Sequence, residues 1–117
     1  MATTHIMHLT EQPFLAVASG KKDIELRLND PKRQSVRIGD RITFVRQDDS
    51  SRSLTVHVVG LLRYANFSDL VNDFPLERMA PYRRDKVQLI AACDEVYPHA
   101  KQVEFGVLGI QIGRAHV

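Results

Sequence analysis

Apolar and polar positions alternate along several short runs of this chain, with turn-forming residues between them. The clearest run is Asp23-Ile24-Glu25-Leu26-Arg27-Leu28. Its period of two predicts a half-buried strand, with Ile24, Leu26 and Leu28 on a core and a carboxylate and a guanidinium neighbouring each other on the opposite face. The same alternation follows the Gly39-Asp40 turn, over Arg41 to Arg46, and Leu54 to Leu62 reads as a long β-branched strand. Gln47 to Ser53 between them reads as a hairpin loop, so the two strands are expected to pair antiparallel. Met7 to Leu9 fits a short opening strand, and Val103 to Ile112 a closing one.

Helical patterns are inserted between the strands. Thr10 suits an N-cap, Pro13 a first turn and Gly20 a left-handed C-cap, with Phe14, Leu15, Val17 and Ala18 as the buried face. Lys21 and Lys22 then suit the negative end of that helix dipole. Phe67 to Phe74 reads as a short helix capped by Asn66 or Ser68. Pro75 and Pro81 leave at most a helical turn at Leu76 to Ala80. Arg83 to Val96 reads as a longer helix with a stripe of Val87, Ile90, Ala91 and Asp94, ended by Tyr97-Pro98-His99. Asn29-Asp30-Pro31 marks a turn inside the basic stretch Leu28 to Arg37, which serves either as a cover over a ligand or as a connector. Residues 1–6 are expected to be a disordered N-terminal extension and residues 113–117 a tail. Strands with helices between them, without repeats or βαβ alternation, predict a small β-barrel with flanking helices.

A length of 117 residues fits one core, and 44% hydrophobic with 26% charged residues is the balance of a soluble globular domain. No apolar run approaches the roughly 20 residues of a membrane span, and the start lacks a signal-peptide pattern, so a cytoplasmic location without a membrane partner is expected. The single cysteine, Cys93, excludes an internal disulfide and sits in an apolar helical run as a packed thiol. The five histidines lack metal-ligand spacing, so neither a metal nor a cofactor is expected. The net charge of +2 is unevenly spread: residues 20–46 carry eight basic against four acidic side chains, a local +4. That half of the domain is either a phosphate-facing surface or a solvated face.

The chemistry concentrates at Lys22, Glu25 and Arg27. Arg27 offers a forked donor to a phosphate, a carbonyl or a base edge. Glu25 is suited to accept an exocyclic amine or to act as a general acid or base, and Lys22 to act as a nucleophile or base. Without a cavity, Glu25 and Arg27 make a structural ion pair and Lys22 is solvated. Tyr64 and Tyr82 are candidate stackers for a base. Arg83, beside Tyr82, adds a cation in a pairing that suits single-stranded RNA or a nucleoside, though it equally fits a solvated helix start.

Gly20, Lys22, Glu25 and Arg27 resemble the Gly-x-Lys-x-x-Glu-x-Arg signature of the ASCH domain, a relative of the PUA-like RNA-binding barrels. Pro13-Phe14, Ile38-Gly39-Asp40-Arg41-Ile42 and Phe105-Gly106-Val107-Leu108-Gly109-Ile110 resemble further blocks of that family, so the likeness covers residues 7–112. A single-domain, bacterial-type member is implied. The implied fold is α+β: a small PUA-like β-barrel of about five or six strands with flanking helices. The implied function is binding of RNA or a modified nucleoside, with Gly20, Lys21, Arg27, Tyr64, Tyr82 and Arg83 as ligand-binding candidates. Some members of the family hydrolyse the acetyl amide of N(4)-acetylcytidine with a lysine, a threonine and a distant glutamate, and others are nucleases. Carried over, the amidohydrolase set becomes Lys22, Glu25 and Glu77: Glu25 stands where those enzymes have threonine, and Glu77 is the only glutamate between Pro75 and Asp85. Binder and hydrolase, or ribonuclease, remain open alternatives from sequence.

Overall fold

The computed structural model describes residues 2–113. Among these, the elements are β1 (Thr4–Leu9), α1 (Glu11–Ala18), β2 (Ile24–Leu28), α2 (Pro31–Gln34), β3 (Arg41–Arg46), β4 (Ser53–Tyr64), α3 (Phe67–Asn72), α4 (Leu76–Met79), α5 (Lys86–Val96), α6 (His99–Phe105) and β5 (Val107–Gly113). The strands form one mixed sheet in the order β1-β3-β4-β5-β2. Only β1 and β3 run parallel, and β3–β4, β4–β5 and β2–β5 are antiparallel. The sheet wraps into a half-barrel, in agreement with the α+β barrel expected from sequence.

Its interior is filled by Met7, Leu9, Phe14, Val17, Ile42, Phe44, Val56, Val58, Leu108, Ile110 and Ile112. The opposite face of β2 and β5 is covered by helices: Ile24 packs with Val71, Met79, Ala80 and Leu89, while Val107 packs with Phe67 and Leu70. Strand β2 is therefore buried on both faces rather than half-exposed. The expected hairpin of β3 and β4 is present, and β4 is longer than its apolar run, with an irregularity between Val58 and Gly60.

Several expectations are corrected. Residues 4–6 are not a loose extension: they belong to β1 and pair in register with Arg41 to Thr43. Asp40 ties this end down, accepting from the Thr3 and Arg37 N–H groups (3.1 and 3.0 Å) and lying 2.8 Å from His5 Nε2. These contacts are remote in sequence, so local composition does not register them. At the other end Gly113 closes β5, and residues 114–117 of the expected tail lie outside the described residues. The buried face of α1 is Phe14, Ala16 and Val17, with Leu15 turned outward. The polar stretch after β2 holds α2, capped by Asp30, whose carboxylate accepts from the Arg33 N–H.

The stripe assigned to α5 is rotated. Val87 is 77% exposed and Ala91 and Asp94 also face solvent, while Leu89, Ile90 and Cys93 pack inward. Neighbouring α3 and β2 select that face. Residues Val103 to Phe105, read as strand, belong to α6. Gly106 stops that helix with φ +71° and ψ −176°, a backbone conformation close to glycine's alone, and β5 starts one residue later. Buried Gln102 fastens α6: its Oε1 accepts from the Phe67 N–H, and its Nε2 donates to Asp94 and to the Tyr97 carbonyl.

Candidate functional site

The half-barrel leaves a seam between its edge strands, β1 and β2, and the candidate site lies there. Gly20, with φ +82°, turns the chain after α1, and the Lys22 N–H returns to the Ala16 carbonyl at 3.0 Å. This reversal sends the Lys22 side chain inward, where only 4% of it is exposed. Its Nζ donates to the carbonyls of Ile24 (2.7 Å) and Met79 (2.6 Å) and lies 3.3 Å from Glu25 Oε1. Three acceptors thus match the three N–H donors of an ammonium.

Glu25 and Arg27 share the face of β2 that points into the half-barrel, since they pair across the ladder with Ile110 and Leu108 of the interior core. Arg27 Nε donates to Glu25 Oε2 at 2.7 Å, and its Nη2 donates across the seam to the His8 carbonyl at 3.0 Å. Burial acts to raise the Glu25 carboxyl, but Arg27 and then Lys22 outweigh it and hold the group below its ordinary value. Burial likewise opposes the charge on Arg27, yet Glu25, with Tyr97 beside it, holds the guanidinium above its ordinary range. The buried trio is one carboxylate between two cations, which leaves an uncompensated positive charge.

A cavity of about 260 Å³ opens beside the trio. Its walls include His8, Leu9 and Thr10 from the β1 side, Lys22 just before β2, Glu25, Leu26 and Arg27 from β2, Tyr82 and Arg83 from the segment before α5, and Cys93 and Tyr97 from α5 and its end. The size is near the lower end of ligand pockets, roughly 300 Å³. Arg83 stacks over the Tyr82 ring at 5.5 Å. Burial, with the Glu25 charge adding, pushes the Tyr82 phenol up to about 12. Burial also pushes the Cys93 thiol up to about 12, which makes it a poor nucleophile at neutral pH.

The fold therefore brings together Lys22, Glu25, Arg27, Tyr82 and Arg83 of the residues singled out from sequence. The others stand apart. Gly20 shapes the turn and Lys21 is exposed. Tyr64 donates to Asp73 Oδ2 at 2.6 Å and packs under α3, away from the cavity walls. Glu77 is exposed on α4 and does not line the cavity. His8, Gln47 and Tyr97 are walls that sequence reading did not select. For Tyr97 the local signals are its aromatic ring and its place at a helix end.

The ASCH domain family model matches residues 7–112. The solved structures that share the fold include the following three. Hypothetical protein PH0355 is 26% identical with a TM-score of 0.82, covering 94% of this chain and 97% of its own. Protein PF0455 from Pyrococcus furiosus is 25% identical with a TM-score of 0.73, covering 94% and 96%. A mutant of the ZmASCH protein from Zymomonas mobilis is 14% identical with a TM-score of 0.70, covering 97% of this chain and 70% of its own. At that identity the likeness is one of fold alone. No curated protein matches the chain. Among the described residues no helix is long and apolar enough to cross a membrane.

Proposed function

The chain belongs to the ASCH domain family, and from that premise and the geometry of the seam we propose that it binds RNA or a modified nucleoside in the cavity between β1 and β2. The observation that carries this reading is the buried Lys22–Glu25–Arg27 trio with its excess positive charge beside a cavity that also holds Tyr82 and Arg83. Cations attract the phosphates and carbonyl oxygens of a nucleotide, and an aromatic face accepts a base by stacking. Lys22 anchors the trio and Arg27 contacts the ligand.

Binding is favoured over amide hydrolysis by the state of the two groups that hydrolysis would need. Lys22 Nζ is turned onto two main-chain carbonyls and the Glu25 carboxylate, so attack on a substrate amide would first have to break those contacts. Glu25 is held as the anion, so it cannot serve as a general acid near neutral pH, and its pairing with Arg27 and Lys22 makes it a weak base. Glu77, the third member of the implied catalytic set, is outside the cavity.

The test is a titration of short single-stranded RNA and of nucleosides at two salt concentrations, with N(4)-acetylcytidine included and release of cytidine followed. Saturable binding that weakens with salt, without release of cytidine, is the expected outcome. Release of cytidine by the native protein that disappears in Lys22→Ala would replace this reading with an amidohydrolase.

A further inference from the structure

On the reading that the cavity takes a nucleoside or a nucleotide of RNA, we propose that the main chain of Leu26 reads the base, through a neighbouring donor and acceptor on its planar ring. The register of β2 determines which of its residues face the seam. The Ile112 N–H donates to the Asp23 carbonyl, and the Asn29 N–H donates to the Gly106 carbonyl. In an antiparallel ladder hydrogen-bonded pairs alternate, so Asp23, Glu25, Arg27 and Asn29 turn their main-chain groups toward β5. Ile24, Leu26 and Leu28 turn theirs to the open edge.

The same parity holds across the seam. Thr3 and Leu9 give their carbonyls to Arg41 and Gln47 on the β3 side, so His8 faces outward. Two of these outward carbonyls are already filled by the trio: Lys22 Nζ takes that of Ile24 and Arg27 Nη2 takes that of His8. Leu26 lies between them and lines the cavity; the ladder parity turns its N–H and C=O away from β5, and no turn or side-chain hydrogen bond among the described residues engages them. A main-chain donor and acceptor on an unpaired strand edge are open to a ligand that pairs with both, and the pairing adds to affinity where the ligand keeps water out.

The N–H and C=O of one extended residue lie side by side and point the same way. That arrangement complements a ring that carries a donor and an acceptor on adjacent positions, as in the imide edge of uracil or the amidine edge of cytosine. The Leu26 side chain packs on the opposite side with Ile24 and the helices, so this edge is rigid before binding. Arg83 supplies a second unused donor, since its Nε is buried without a hydrogen-bond partner among the described residues. It suits an acceptor oxygen elsewhere on the same ligand.

The experiment replaces Leu26 by its α-hydroxy acid analogue, which turns one amide N–H into an ester oxygen and keeps the side chain. Uridine, cytidine and 3-methyluridine are titrated against this protein and the native one, with thermal unfolding as the check on the fold. Uridine affinity is expected to fall about tenfold in the ester protein. On the native protein 3-methyluridine, whose donor is blocked, is expected to bind more weakly than uridine and to be insensitive to the ester. Unchanged uridine affinity in a folded ester protein overturns the role of Leu26 and leaves the cavity reading standing. Equal affinity of the native protein for uridine and 3-methyluridine overturns it too, even where the ester protein does not fold. Native protein that binds no nucleoside and no RNA overturns both.

Discussion

Arg27 on β2 reaches the main-chain carbonyl of His8 on β1 at 3.0 Å, and it is a side chain, not a ladder of hydrogen bonds, that joins the two edges of this half-barrel. The same guanidinium neutralises Glu25 at 2.7 Å, so one residue both bridges the seam and completes the buried charge trio. Arg27→Ala is expected to cost about 3 kcal/mol, the usual penalty when one partner of a buried ion pair is removed. Chemical denaturation would measure it. Arg27→Lys should recover little, because a single ammonium does not span Glu25 and His8 with two separate donors.

Acid should weaken the fold from the β1 end. Hydrogen bonding from His5, then from the Thr3 and Arg37 N–H groups, holds the Asp40 carboxyl down to about 2 from its ordinary 3.8. A carboxyl lowered by folding stabilises the protein above its unfolded value and loses that contribution as pH falls through the folded one. Thermal midpoints recorded between pH 5 and pH 2 should therefore drop as the pH falls below about 3.8. In Asp40→Asn the drop should shrink but not vanish, since Glu25 is also held below its ordinary value and loses its contribution in acid.

Cys93 should react slowly. Its thiol is pushed up to about 12 by burial, so little thiolate exists at pH 8. Iodoacetamide labelling followed by mass spectrometry should run at least tenfold slower than for a free thiol with an ordinary value near 8.5. Labelling at the rate of a free thiol would show that this wall of the cavity opens in solution.

Gly106→Ala should destabilise by about 2 kcal/mol, read as a lower thermal midpoint. Gly106 has φ +71° and ψ −176°, and an added Cβ would meet the Tyr64 carbonyl oxygen at 3.0 Å. A neutral effect would mean that the junction between α6 and β5 relaxes freely.

Much of this architecture is written locally. Ile24, Leu26 and Leu28 alternate with charged residues and form β2, and the cap Asn66 marks the start of α3, whereas Asp30, which reads as part of a turn, caps the short helix α2. At α5 and at β1 the sequence misleads because the deciding partner is distant in the chain. Val87 and Ala91 look like a buried stripe, but the face of α5 that is covered depends on where α3 and β2 lie. Thr4 to Ile6 look unpatterned, but Asp40 and β3 order them.

The site divides in the same way. Lys22, Glu25 and Arg27 stand within six consecutive residues, so their grouping, their charge and their kinship to the ASCH signature are properties of the sequence alone. Which of them are buried, and what they face, is decided by long-range contacts: the Met79 carbonyl on Lys22, the His8 carbonyl on Arg27, and Tyr82 and Arg83 brought to the same cavity. Glu77 and Tyr64 show the converse, residues of suitable chemistry that the fold carries elsewhere. Periodicity records how each segment meets a core. Only the closure of the sheet, with its open seam between β1 and β2, determines which segments meet one another.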